Sequence, residues 1–300
     1  MLRVAFDQSY VLNLPEGHRF PMEKYDLLPR QLVHEGTLNK EQFFVPDELD
    51  PQLAAKVHSE NYLSRLFSLA LDRKEQRATG FPHTIELIER EKRIMEGTRS
   101  CAEHALECGA AMNIAGGTHH AFTNKGEGFC LMNDQAIAAK WLLESGQRER
   151  ILILDLDVHQ GNGTAEIFSS DERVFTFSLH GKNNYPLKKE RSDLDVELED
   201  GTSDQAYLYA LEKNLDKVLS SYSPDFVFYQ CGVDILDSDQ LGRLSVSLEG
   251  CKRRDEFVFT TIKSMNVPVV CSMGGGYSKD IRTIVEAHAN TFRTIQHHLF

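Results

Sequence analysis

One stretch limits the fold more than any other: Ile151-Leu152-Ile153-Leu154-Asp155-Leu156-Asp157-Val158-His159. An unbroken apolar run of this kind describes a strand covered on both faces, and such strands belong to parallel sheets sandwiched between helices. The run then closes on three polar residues spaced two apart, which a strand period of two places on one side. Two carboxylates and an imidazole crowded there repel one another and lose hydration, unless a cation or a hydrogen-bond network offsets the cost. A metal is the simplest resolution; the plainer alternative is a carboxylate pair capping nearby backbone amides.

The rest of the chain has a matching rhythm. Short apolar runs at Arg3–Phe6, Ala111–Ala115, Ile151–Asp157, Val174–His180, Phe226–Cys231 and Val267–Ser272 read as strands. Segments with a 3.6-residue period at His83–Glu107, Asp134–Glu144, Asp204–Ser221, Leu248–Met265 and Lys279–His298 read as helices. This alternation predicts an α/β fold, a parallel sheet with helices on both faces. With 300 residues, 41% hydrophobic, and no low-complexity linker or internal repeat, one domain over 1–300 is the expectation. Lys188–Asp193 reads as a solvated charged loop.

A net charge of -12 leaves no basic field for neutralising phosphates, so direct nucleic-acid binding is not expected. No run reaches the roughly 20 apolar residues of a membrane span, and the first residues lack the apolar core of a signal peptide. A cytoplasmic protein is expected. The six cysteines form no CxxC pair and mostly sit in apolar stretches, which reads as structural thiols.

In open α/β sheets ligands collect beyond the carboxyl ends of the strands. There the sequence offers Asp155, Asp157 and His159 after one strand, and Asp234, Asp237 and Asp239 after another. Spacing does not choose among the last three. Two aspartates and one histidine leave a coordination position open, as catalytic sites do; oxygen-rich ligation suits iron, cobalt or manganese as well as zinc. His119 and His120 follow a glycine pair and are candidate proton-transfer groups. Gly126-Glu127-Gly128-Phe129 frames an aromatic ring with glycines, and Gly274-Gly275-Gly276-Tyr277 delivers a phenol after the last strand.

Taken in order, GGTHHA, GEGFCLMND, DLDVHQGNGT, SLH, GVDILDSDQLG and GGGY resemble the zinc-dependent histone deacetylase superfamily, from Gly17 through Tyr277. The resemblance implies the arginase-deacetylase fold, a three-layer arrangement around a parallel sheet of about eight strands. It implies zinc ligands at Asp157, His159 and Asp239, tandem catalytic histidines at His119 and His120, and a catalytic Tyr277. It further implies that Asp155 orients His119 and, with Ser178, Leu179 and backbone carbonyls of Asp157 and His159, binds a structural potassium ion. Gly128, Phe129, Tyr185 and Gly275 are the implied substrate contacts, and Arg19 matches the arginine at the tunnel's inner end.

One departure stands out. Where the family's class I members have an aspartate beside the second histidine, this chain has Asn162, as class II and class IV members do. An uncharged partner stabilises an imidazolium less, leaving His120 more readily neutral. The short chain and Thr79-Gly80-Phe81-Pro82 look most like class IV enzymes and their bacterial relatives. The expected activity is removal of an acetyl or longer acyl group from lysine side chains. The alternatives are an acetylpolyamine amidohydrolase and a non-catalytic acyl-lysine-binding protein of the same fold.

Overall fold

The computed structural model describes residues 1–300. Its eight strands are β1 (Arg3–Ala5), β2 (Phe43–Phe44), β3 (Ala110–Asn113), β4 (Ile151–Asp155), β5 (Val174–Gly181), β6 (Leu194–Leu198), β7 (Phe226–Gln230) and β8 (Val269–Ser272). They form one sheet in the order β2-β1-β3-β8-β7-β4-β5-β6, every neighbouring pair parallel. The helices are α1 (Lys24–His34), α2 (Pro51–Ala54), α3 (Glu60–Phe67), α4 (Arg73–Thr79), α5 (Ile85–Cys108), α6 (Asp134–Glu144), α7 (Asn162–Phe168), α8 (Asp204–Ser221), α9 (Leu248–Met265) and α10 (Ile281–Leu299).

Every residue of β3, β4, β7 and β8 is buried, so the central strands are covered on both faces, as their apolar composition demands. The long helix α5 lies against β1, β3 and β8 with α6 beside it, while α9 packs between α8 and α10, and α1 against α10. A cluster of 79 buried hydrophobic residues runs from Leu2 to Ile295. All six cysteines are unpaired. No helix is long and apolar enough to cross a membrane.

All six expected strands are present, with shifted ends. β4 stops at Asp155, two residues short of the expected Asp157. Leu156 still donates to the Gln230 carbonyl of β7 at 3.1 Å. The next amides then leave the ladder for side chains, Asp157 to Asp155 Oδ1 (3.1 Å), Val158 to Asp234 Oδ1 (2.9 Å) and His159 to Asp157 Oδ1 (3.0 Å). Asp157 and His159 therefore sit in a bend built by carboxylates, and strand periodicity does not aim them. The two strands the sequence reading lacked are the edges: β2 has two residues, and β6 is an acidic, half-exposed segment beyond the Lys188–Asp193 loop.

Four adjacent central strands, β3, β8, β7 and β4, send their following loops to the same sheet edge. The chain reverses its direction of winding there, and that crevice is where an open α/β sheet places its ligand.

Candidate active site and metal centre

Asp157, His159 and Asp234 are buried and present ligand atoms that all lie within 4.8 Å of one another. His159 Nδ1 stands 3.1 Å from Asp157 Oδ1 and 3.0 Å from Asp234 Oδ2. Burial, and then the neighbouring Asp157 charge, push the Asp234 carboxyl up to about 7. Buried carboxylates held this close to one imidazole are a donor set that a divalent cation satisfies, and O,N,O ligation suits zinc or ferrous iron. The residues fit the metal.

Of the three aspartates left open by spacing, Asp237 is exposed and lies apart. Asp239, the ligand implied by resemblance, is outside the tight trio. Its Oδ1 accepts the amides of Leu241 (2.8 Å) and Gly242 (2.9 Å), and its Oδ2 accepts the Tyr277 amide at 2.6 Å. The trio the fold draws closest thus differs from the expected one by Asp234.

The two adjacent imidazoles, with centroids 4.1 Å apart, have different partners. His119 Nδ1 donates to Asp155 Oδ2 at 2.7 Å, and its Nε2 lies 3.8 Å from Asp157 Oδ1. Burial disfavours its charge, but Asp155 and Asp157 outweigh that and raise it to about 9. His120 Nδ1 faces Asn162 Oδ1 at 2.6 Å. Burial, joined by the charges of His119 and His159, drives His120 well below the usual imidazole range. Neighbouring groups pushed in opposite directions are the arrangement of an acid–base pair. The loop carrying them is pinned by buried Asp134, at the start of α6, which accepts the amides of Gly117 (2.9 Å) and Thr118 (2.8 Å). Sequence reasoning missed Asp134, since an aspartate opening a helix reads as dipole compensation.

Two cavities meet at this centre. The outer one, about 290 Å³, opens past Arg19 and Arg77 and is walled by Phe129, Tyr185 and Leu241. The inner one, about 40 Å³, is closed by Tyr25, Arg90, Ile94 and Cys130. Gly128, Phe129, His120, His159 and Tyr277 line both. Phe129 is held at φ 65 and packs edge-on to Phe20, ring centroids 5.2 Å apart. Gly275 must be glycine: its amide donates to Asp157 Oδ2 at 2.8 Å, and a Cβ would meet Asp234 Oδ2 at 1.9 Å.

Arg19, expected at the inner end, is exposed at the outer mouth with Arg77. The deep cations are Arg90 and Lys24, 3% and 0% exposed. Lys24 Nζ donates to the Gly274 carbonyl at 3.1 Å and stands 5.7 Å from the centre of the Tyr277 ring. Burial lowers it to about 8, against the pull of Asp234 and Asp157. Lys24 begins α1 five residues after Arg19. An extended segment and the first turn of a helix point their side chains in unrelated directions, so spacing did not separate the two. Asp155 and Ser178 are paired across β4 and β5, with Leu179 next along β5.

A family model, Histone deacetylase domain, matches residues 18–292. The chain belongs to the histone deacetylase family. This family member is 43% identical, over 95% of each chain, to an uncharacterized protein of Picosynechococcus sp.. It is 32% identical to Histone deacetylase 2 of Arabidopsis thaliana, over 96% of this chain and 77% of that one. Among solved structures, an HDAC homolog from Aquifex aeolicus superposes with a TM-score of 0.86 over 99% of this chain and 84% of its own, at 22% identity. The histone deacetylase fold is therefore shared at a sequence distance where only the architecture is comparable. Membership supports hydrolysis of amides, and the buried Asp-His-Asp cluster accords with the family's metal dependence.

Proposed function

We propose that this chain, as one catalytic unit over residues 1–300, removes acetyl groups from the ε-amino group of lysine side chains. The observation that carries the reading is the junction of the two cavities. A side chain passing between Phe129 and Tyr185 arrives where His120, His159 and Tyr277 line both cavities, with His119 and Asp157 lining the inner one.

Zinc would be held by Asp157, His159 and Asp234, the trio whose ligand atoms converge, and when bound would polarise the scissile carbonyl and lower the pKa of water from about 16 towards about 7. Asp239, the ligand implied by resemblance, instead supports the set by pinning its loops, taking the Leu241 and Gly242 amides on Oδ1 and the Tyr277 amide on Oδ2. Neutral His120 accepts the proton of the attacking water and returns it to the departing amine. His119, charged through Asp155, adds its positive charge to the field that stabilises the negative charge building on the carbonyl oxygen. The Tyr277 hydroxyl donates to the developing oxyanion, an interaction worth about 3 to 4 kcal/mol in the transition state. The Gly128 carbonyl and Gly275 flank the substrate amide. Asp155, Ser178 and the Leu179 carbonyl are an oxygen-only donor set suited to a structural potassium ion. Six unpaired thiols accord with a cytoplasmic setting.

The inner cavity supports acetyl over longer groups: about 40 Å³ takes a methyl but not an acyl chain of many carbons. The mouth speaks against acetylpolyamines, since two guanidiniums and no carboxylate line it, and a polycation entering there is repelled. A silent binding protein would have no use for a complete acid–base pair and phenol. The test is an acyl panel on the purified protein, with and without a chelator: acetyl-, lactyl- and myristoyl-lysine peptides and acetylated polyamines. Acetyl-lysine should turn over fastest, and chelation should abolish turnover until zinc is restored. A metal-loaded protein inert towards every acyl-lysine peptide sinks the proposal.

A further inference from the structure

We propose that Glu127 is a positioning residue that sets the tautomer of His120 through Asn162. Glu127 sits in the glycine-framed loop before α6, half-buried, and its two oxygens are shared among three donors. Oε1 accepts Asn162 Nδ2 at 2.8 Å and the Tyr185 hydroxyl at 2.6 Å, and Oε2 accepts Lys125 Nζ at 2.7 Å. Burial disfavours its charge, but the bonds from Lys125, Tyr185 and Asn162 outweigh that and hold it below the usual carboxylate range.

An ionised carboxylate only accepts. Asn162 must therefore turn its amide nitrogen to Glu127 and its carbonyl oxygen to His120 Nδ1, 2.6 Å away. That oxygen also only accepts, so Nδ1 carries the proton of the neutral ring. Nε2 makes no hydrogen bond within the protein and keeps its lone pair for a proton from the cavity. The two ends of an asparagine amide are nearly the same shape, so only its partners decide which way it faces. Flipped, Asn162 would offer N–H to Nδ1, forcing the proton onto Nε2 and disabling the base. Glu127 thus does at one remove what a carboxylate at position 162 would do directly, and ties the Tyr185 wall of the passage to the base.

In Glu127→Gln the Lys125 ammonium draws the new amide oxygen to itself and leaves an NH2 facing Asn162, which must then flip. The kinetic arm rests on the deacetylase reading; the spectroscopic arm does not. On zinc-loaded enzyme, E127Q should lower kcat on an acetyl-lysine peptide about 10-fold or more, with KM within about twofold and zinc content unchanged. Ring-nitrogen NMR of 15N-histidine protein should show the His120 proton leaving Nδ1. Adding Asn162→Asp should reverse both effects, because the introduced carboxylate accepts from His120 and from the new amide NH2 together. N162D alone, with two carboxylates opposed, should be worse than the double variant. A His120 still protonated at Nδ1 in E127Q, or a kcat loss that N162D does not repair, overturns the proposal. If wild-type enzyme hydrolyses no acyl-lysine at all, the deacetylase reading fails while the tautomer measurement still decides the role of Glu127.

Discussion

At the scale of single residues, the centre turns on how many partners each carboxylate already has. Asp239 already accepts three backbone amides, those of Leu241, Gly242 and Tyr277, which suits a supporting role. Asp234 is fully buried, gives Oδ1 to the Val158 amide and turns Oδ2 towards His159 Nδ1, where the two would share a metal. Asp234→Asn should therefore bind zinc far more weakly than Asp239→Asn, whose loss is expected to be about 10- to 100-fold, as for partners of metal ligands. Competitive chelator titration of both variants measures this, and wild-type affinity in D234N would exchange the two roles. Sequence spacing offered three aspartates without ranking them, because a bend held by side-chain bonds does not register in any periodicity.

At the scale of elements, the end of α4 shows how a short helix builds the passage. Asp72 caps its start, accepting the amides of Lys74 (2.7 Å) and Glu75 (2.9 Å), and left-handed Gly80 closes it at φ 75. The carbonyls of Ala78 and Thr79, unpartnered within so short a helix, accept the amides of Gly128 (2.9 Å) and Phe129 (3.0 Å). The helix end thereby fixes the aromatic wall. Gly80→Ala forces a side chain into the left-handed region, costing about 1 to 2 kcal/mol, and its Cβ would meet the Phe129 ring at 2.8 Å. KM should rise about threefold or more through the misplaced wall, with zinc content unchanged. An unaltered KM would separate α4 from substrate binding. No apolar periodicity in Arg73–Thr79 announced this helix, since its purpose lies in its last two carbonyls.

At the scale of the whole molecule, buried His58 joins three segments distant in sequence. Its Nδ1 donates to the Phe122 carbonyl at 2.9 Å and its Nε2 accepts the Asn133 amide at 3.0 Å, at the N-terminus of α6. Burial lowers its pKa from 6.5 to about 4. Between those values the unfolded chain binds a proton that the folded one refuses. The contribution to stability is present above pH 6.5 and is lost as pH falls towards 4, on the order of 3 kcal/mol across the window. Urea unfolding at a series of pH values should show this slope, and His58→Gln should flatten it. A slope unchanged in H58Q would assign the acid sensitivity to other groups.

The sheet, its parallel sense and the edge where the site lies were legible in the linear chain, because burial on both faces of a strand leaves an unbroken apolar signature and loops must leave at strand ends. Asp157, His159, the His119-His120 pair and Tyr277 were legible for the same reason, each following a recognisable strand. Tertiary structure alone decided that Asp234 joins the tight cluster, that Lys24 rather than Arg19 lies deep, and that Glu127 grips Asn162. Those choices rest on which side chains face each other across 35 residues or more, and hydrogen-bond geometry between distant loops leaves no trace in local pattern.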